Sequence, residues 1–146
     1  MGFVRFEDLE VFRLAEQMAD DVWDVVNGWN FFARETVGKQ FVQAVDSVGA
    51  NIAEGAGRGT HKDNMRFVRI ARGSLNESKY WFRRAHQRNL LEEKRIKKFN
   101  DSLEKLGFLI NAYLKSIKKN SSVNRPSLSN IKHQTQNTKN TPSKND

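Results

Sequence analysis

The chain has no cysteine, and its only prolines, Pro126 and Pro142, lie in its last stretch. Without cysteine there is no disulfide and no thiolate metal site, and a reducing, cytoplasmic setting is the simplest fit. From Met1 to Lys119 no proline removes a backbone N–H, so long helices meet no obstacle there. Also missing is any apolar run near the roughly 20 residues that span a bilayer, so no membrane role is expected. The opening MGFVRFEDLE lacks the apolar stretch of a secretion signal. Phe6 stands where a myristoylated Gly2 would need Ser or Thr. No segment alternates with the two-residue period of a strand.

Charge of one sign is plentiful. Lysine and arginine number 25 against 17 aspartates and glutamates, a formal net charge of +8 in 146 residues. That excess favours a polyanionic partner, with RNA or DNA foremost. The distribution is uneven. Glu7 to Asp24 carries seven acids and one arginine, whereas Lys62 to Arg88 carries eight bases and two acids. Residues 120–146 are rich in Asn, Ser, Thr and Lys, with Val123, Leu128 and Ile131 their only aliphatics. That composition cannot offset the entropy of ordering, and it predicts a disordered, polar, basic tail behind a single domain at 1–119.

Apolar residues in the domain recur at three- and four-residue steps in four segments. The first helix is expected from about Asp8, as N-cap, to Asn27, with Leu9, Phe12, Ala15, Ala19, Val22, Trp23 and Val26 as its stripe. Gly28 ends it. Trp29, Phe31 and Phe32 follow in the connection, where aromatics most often fold down as a lid over a bundle end; an exposed patch that meets a partner subunit is the sharper alternative. The second helix is expected from Arg34 to Glu54, with Gly55 as a left-handed cap and Gly38 and Gly49 as points of close helix approach. The third should open near Asp63 or Asn64 and stop at Asn89. Phe67, Ile70, Ala71, Ser74, Leu75, Ser78, Trp81, Phe82 and Ala85 form its apolar side. The fourth should run from Glu92 to Lys118 on a stripe of Ile96, Phe99, Leu103, Leu106, Ile110, Tyr113, Leu114 and Ile117. Four such helices with short turns make an all-α, up-down antiparallel four-helix bundle.

Catalytic groups do not converge. His61, His86 and His133 share no helical face, there is no Glu-x-x-His pair, and Ser47, Ser74 and Ser78 have no base beside them. No metal, cofactor or enzymatic activity is expected. The glycines of Gly55–Gly59 lack the Lys-Ser/Thr ending of a phosphate loop and suit a cap and turn better. Asn51 and Glu54, at the end of an apolar helix, need partners if buried. A structural polar cluster across to the third helix, with Arg72 or Ser74, is the expected use. The cationic row of Arg58, Lys62, Arg66, Arg69, Arg72, Lys79, Arg83 and Arg84, joined by Lys97 and Lys98, is the candidate phosphate-binding face. Tyr80 beside it is a candidate for base stacking, and Trp81 belongs to the core.

Asn51-Ile52-Ala53-Glu54-Gly55, then Gly57-Arg58, then Ile70-Ala71-Arg72-Gly73-Ser74-Leu75-Asn76-Glu77 resemble the signature of a four-helix-bundle family. Its members include proteins encoded within intervening sequences of bacterial 23S ribosomal RNA genes. Phe6–Phe12 and Gln43–Val48 fit the same pattern, whereas Trp29–Val37 departs from it in lacking a proline. The resemblance implies a ring-shaped homopentamer without enzymatic activity. It also implies relatives that bind the reverse transcriptase and RNA of diversity-generating retroelements. The function expected is therefore RNA binding or ribonucleoprotein scaffolding, with a protein-binding adaptor docked on a reverse transcriptase or another acidic protein as the alternative. The acidic first helix would steer a head-to-tail contact between subunits.

Overall fold

Apolar residues on one side of each segment decide where the chain folds back. The structure, a computed structural model, describes residues 5–123, apart from the side chain of Val123. Its long helices are α1 (Glu10–Asn27), α2 (Lys39–Ala56), α3 (His61–Gln87) and α4 (Glu93–Val123). Sequential helices are neighbours and α4 closes against α1, which gives the expected four-helix bundle. α4 runs five residues beyond the expected end at Lys118, so Asn120–Val123 are helical. The disorder expected for the remainder of the tail, and His133 within it, lie outside the described residues.

The stripe of α1 is centred on Val11, Ala15, Met18, Val22 and Val26. Leu9, Phe12 and Ala19 are half-buried on its flank, and Trp23, expected inside, is 56% exposed. Asp8 is not the N-cap. It belongs to a 3-10 turn, Phe6–Asp8, and Leu9 precedes the helix with no side-chain bond. The Phe6 ring packs edge-to-face on Phe12 at 4.8 Å, an apolar clasp in place of a polar cap.

α2 has a longer lead-in than expected. Asn30 caps a helical turn, Phe31–Ala33, by accepting the Ala33 N–H at 3.0 Å. A wide π turn follows at Arg34–Gly38, where the Lys39 N–H reaches back to the Arg34 carbonyl. The buried residues here, Ala33, Val37 and Phe41, step by four. In a straight α-helix that spacing drifts about 40° per step, and the wide turn offsets the drift. A Cβ on Gly38 would sit 2.6 Å from Val26 Cγ1, so the end of α1 approaches the backbone there as expected. At Gly49 the approach is ordinary contact with Phe12 and Ala15.

Gly55 is not a left-handed cap. It lies inside α2, buried, where a Cβ would meet Asn64 Oδ1 at 2.8 Å and Phe67 Cβ at 2.9 Å. The left-handed residue is Gly59, with φ 85°. Thr60 then caps α3 by accepting the Asp63 N–H at 3.2 Å, about one turn earlier than an Asp63 or Asn64 cap would start the helix. At the other end Asn89, φ 57°, stops α3 as expected: its N–H donates to the His86 carbonyl and the Leu90 N–H to the Ala85 carbonyl. These two bonds form a Schellman motif.

The core joins three rings. Phe99 packs edge-to-face on Phe41 at 6.1 Å and on Phe82 at 6.3 Å, each pair contributing about 0.5–1.5 kcal/mol beyond its buried area. Val68, unassigned in the stripe of α3, is fully buried, and Ile70 is 43% exposed. Ser78 is fully buried and its hydroxyl donates to the Ser74 carbonyl at 2.8 Å, so no polar atom is stranded there.

Candidate nucleic-acid interface

Residues 62, 66, 69, 73, 76, 80, 83 and 84 recur at helical steps opposite the buried side of α3. They read Lys, Arg, Arg, Gly, Asn, Tyr, Arg, Arg, with no acid among them. All are exposed except Arg84, which is half-buried. The cations divide into tethered and free. Arg58 pairs with Glu54 at 2.9 Å, and Arg66 with Asp63 at 3.8 Å. Both guanidinium groups also lie over the Phe67 ring, at 4.7 and 4.5 Å, which fixes the corner between α2 and α3. Arg72 donates to Asn111 on α4 at 3.4 Å and Arg84 to Gln87 at 2.7 Å. Lys62, Arg69, Lys79, Arg83 and Lys97 enter no hydrogen bond or ion pair among the described residues.

Lys98 does not join the row. It turns to α1 and pairs with Asp21 at 3.2 Å, and Lys105 reaches Glu10 at 3.5 Å. Two of the acids of α1 are therefore matched within the chain by α4. The polar cluster expected at Asn51, Glu54 and Ser74 is not assembled either. Asn51 donates to the Ser47 carbonyl within α2, Glu54 holds Arg58, and the Ser74 carbonyl accepts from Ser78. The polar links that do cross helices are Asn64 to the Tyr113 hydroxyl at 3.3 Å and Arg72 to Asn111. Local geometry explains the substitution: Asn51 and Glu54 bond to residues four positions away along the chain, while at Gly55 the backbone of α2 packs directly on Asn64 and Phe67 of α3.

Two grooves of opposite character flank the bundle. Between α1 and α2, a groove of about 330 Å³ has small residues, Ala15, Ala19 and Gly49, on its floor and Glu16, Asp20 and Asp46 on its rim. Burial, and then the neighbouring Asp20 carboxylate, push the Asp46 carboxyl above its ordinary value. Between α3 and α4 lies a groove of about 420 Å³, lined by Lys79, Phe82, Arg83, His86, Asn100, Leu103 and Glu104. Asn100 and Glu104 were invisible as site residues because polar positions on an amphipathic helix look alike. Their four-residue spacing beside Leu103 is the one available signal. Tyr80 is 53% exposed on the row, its ring edge-to-face with Trp81 at 4.9 Å. Trp81 is half-buried against the core, as expected, and its indole N–H donates to Glu77.

The lid expected from the first connection is absent in its main part. Trp29 packs on the core, but Phe31 and Phe32 are 71% and 78% exposed. Capping by Asn30 fixes the start of the helix, and that start leaves both rings on the outer side. Among the described residues no group of three His, Asp or Glu side chains is placed to hold a metal ion. No helix among them is long and apolar enough to cross a membrane.

A protein-family model described as 23S rRNA-intervening sequence protein matches residues 7–112. Among solved structures, the chain is similar to a protein of unknown function from the S23 ribosomal protein family of Bacteroides thetaiotaomicron. The TM-score is 0.64 at 20% identity, over 72% of this chain and 95% of that one. At that identity the likeness concerns the fold. No curated protein matches.

Proposed function

The chain belongs to the 23S rRNA-intervening sequence protein family, and from that premise we propose that it is a non-enzymatic, RNA-binding or ribonucleoprotein-scaffolding bundle. We place it in the cytoplasm and infer that it assembles as a homopentameric ring. The observation that carries the reading is the acid-free outward row of α3, with free cations at Lys62, Arg69 and Arg83, flanked by two more at Lys79 on the same helix and Lys97 on α4. Such a row meets phosphates by charge and without regard to sequence. The bundle, 1–119, would carry the row, and the tail of 120–146 would add Lys132, Lys139 and Lys144.

Five phosphate contacts predict a slope of about −3.5 in log affinity against log salt for a single strand, or about a hundredfold loss between 50 and 200 mM. Fluorescence anisotropy with a short RNA at the two salt concentrations measures it. Absence of binding at the lower salt would remove the proposal. Replacing Arg69 and Arg83 by Ala should flatten the slope by about 1.4.

A second reading is supported by the exposed Phe31 and Phe32, which suit a protein surface better than a phosphate. In it the chain is an adaptor docked on an acidic protein such as a reverse transcriptase. A complex that survives nuclease treatment distinguishes it from RNA binding. The ring draws support from the exposed aromatic rings and from the opposite charge of the acidic α1–α2 groove and the basic row of α3.

A further inference from the structure

The groove between α3 and α4 has chemistry that a phosphate row does not use. Its floor is apolar, made by Leu103 and by Phe82, which is 9% exposed. One rim carries the cations Lys79 and Arg83, and the other carries the Asn100 amide and the Glu104 carboxylate. Lys79 leans across toward α4, where a Cβ on Gly107 would sit 3.8 Å from its Nζ. That is ordinary contact distance, so the ammonium lies close over α4. Glu104 forms no ion pair among the described residues, although two cations line the same groove.

We propose that this groove receives an unpaired nucleobase, guanine in preference to the others, from a single-stranded RNA whose phosphates follow the α3 row. The inference rests on the RNA-binding reading above and names the form of RNA that the face selects. A volume of about 420 Å³ falls within the roughly 300–1,000 Å³ of small-ligand sites. A phosphate alone has no use for an apolar floor and is repelled by Glu104. A nucleobase has an apolar face for Phe82 and Leu103 and a polar edge for Asn100 and Glu104. A carboxylate only accepts hydrogen bonds, so it selects an edge that donates. Guanine presents adjacent N1–H and N2–H donors, which one carboxylate can accept together. Adenine and cytosine offer only an amino group there, and uracil a single ring N–H. In a duplex these edges are already paired, so a double strand is left with the phosphate contacts alone.

The test uses the full chain at one low salt concentration. Labelled uridine oligomers carry a single central guanine, adenine, cytosine or uracil, beside a duplex of matched length. The guanine oligomer should bind about tenfold tighter than the other three, and the duplex should show no such benefit. Glu104→Gln should erase the guanine preference while tightening the duplex slightly, because it removes a negative charge from the face. Asn100→Ala, also at an exposed position, should narrow the preference. Circular dichroism confirms that both variants fold. Equal affinity for all four oligomers, or a guanine preference that survives Glu104→Gln, overturns the groove proposal while leaving phosphate binding intact. Failure of every RNA to bind overturns both.

Discussion

Adding one methyl group to Gly55 should destabilise the bundle, although alanine is the better helix former. Within α2 the exchange gains about 1 kcal/mol of helix propensity. Against this stand three contacts of the new Cβ: Asn64 Oδ1 at 2.8 Å, Phe67 Cβ at 2.9 Å and the Asn64 backbone carbonyl at 3.0 Å. The last two belong to or adjoin the backbone of α3 and cannot rotate aside, so α2 and α3 must separate. Such overpacking costs about 1–3 kcal/mol. Asn64 has little slack, since its Oδ1 is buried with no partner among the described residues and its amide donates to Tyr113 at 3.3 Å. The cost therefore falls at the upper end, for a net loss of about 1–2 kcal/mol. A domain of this size responds with about 3–5 °C per kcal/mol, so Tm should fall by about 3–10 °C. Gly73→Ala is the internal control. That glycine is exposed, and a Cβ there would have no neighbour within 4 Å. The same methyl should then raise stability by about 1 kcal/mol. Thermal and urea unfolding followed by circular dichroism would measure both. A Gly55→Ala variant as stable as the parent, or a Gly73→Ala variant less stable, would refute the close-packing account.

Thr60→Ala should cost about 1 kcal/mol by leaving the Asp63 N–H without its cap, readable as a lower urea midpoint. Asp46→Asn should stabilise the bundle at neutral pH, because burial and Asp20 disfavour the charged carboxylate. With its folded value raised, Asp46 binds its proton more readily in the native state, so stability falls as pH rises through that range. The advantage of the Asn variant should therefore shrink as pH is lowered below the ordinary carboxylate range; Tm measured against pH, with Glu16 and Asp20 unchanged, checks the sign. Replacing Phe31 and Phe32 by Ser should change stability by less than about 0.5 kcal/mol, given their exposure. Sedimentation of that variant should show a smaller species than the parent; an unchanged profile would remove the two rings from any subunit contact.

The number and order of the helices were legible because each apolar stripe is long, and α4 was read almost residue by residue. Phase was less legible. Val11, Met18 and Val68 fall outside the stripes that spacing predicts, and Trp23 and Ile70 fall inside them, because a stripe on a bundle helix is wide and its edge residues can face either neighbour. Helix ends were read well where a residue has one use, as at Asn89, and poorly where several polar residues compete, as at Thr60, Asp63 and Asn64. Gly55 has the spacing of a cap and the role of a close-packing point, because a glycine that must be small and a glycine that must turn are identical in sequence. At the basic face, the row on α3 follows from spacing. The tethering of Arg58, Arg66 and Lys98 depends on which neighbour each long side chain reaches, and one-dimensional spacing does not encode that.

The π turn at Arg34–Gly38 sets the two exposed rings of the first connection apart from the rest of the second helix. A turn of this kind amounts to one residue more than the regular helix needs. Deleting a single residue there would let the ladder close up, and everything before it would rotate by about 100° relative to α2. Phe31 and Phe32 would then face a different quarter of the bundle end. The gain or loss of one codon would therefore re-aim an aromatic pair on that surface, and the buried Ala33 just ahead of the turn ties the change to a repacking of the bundle end.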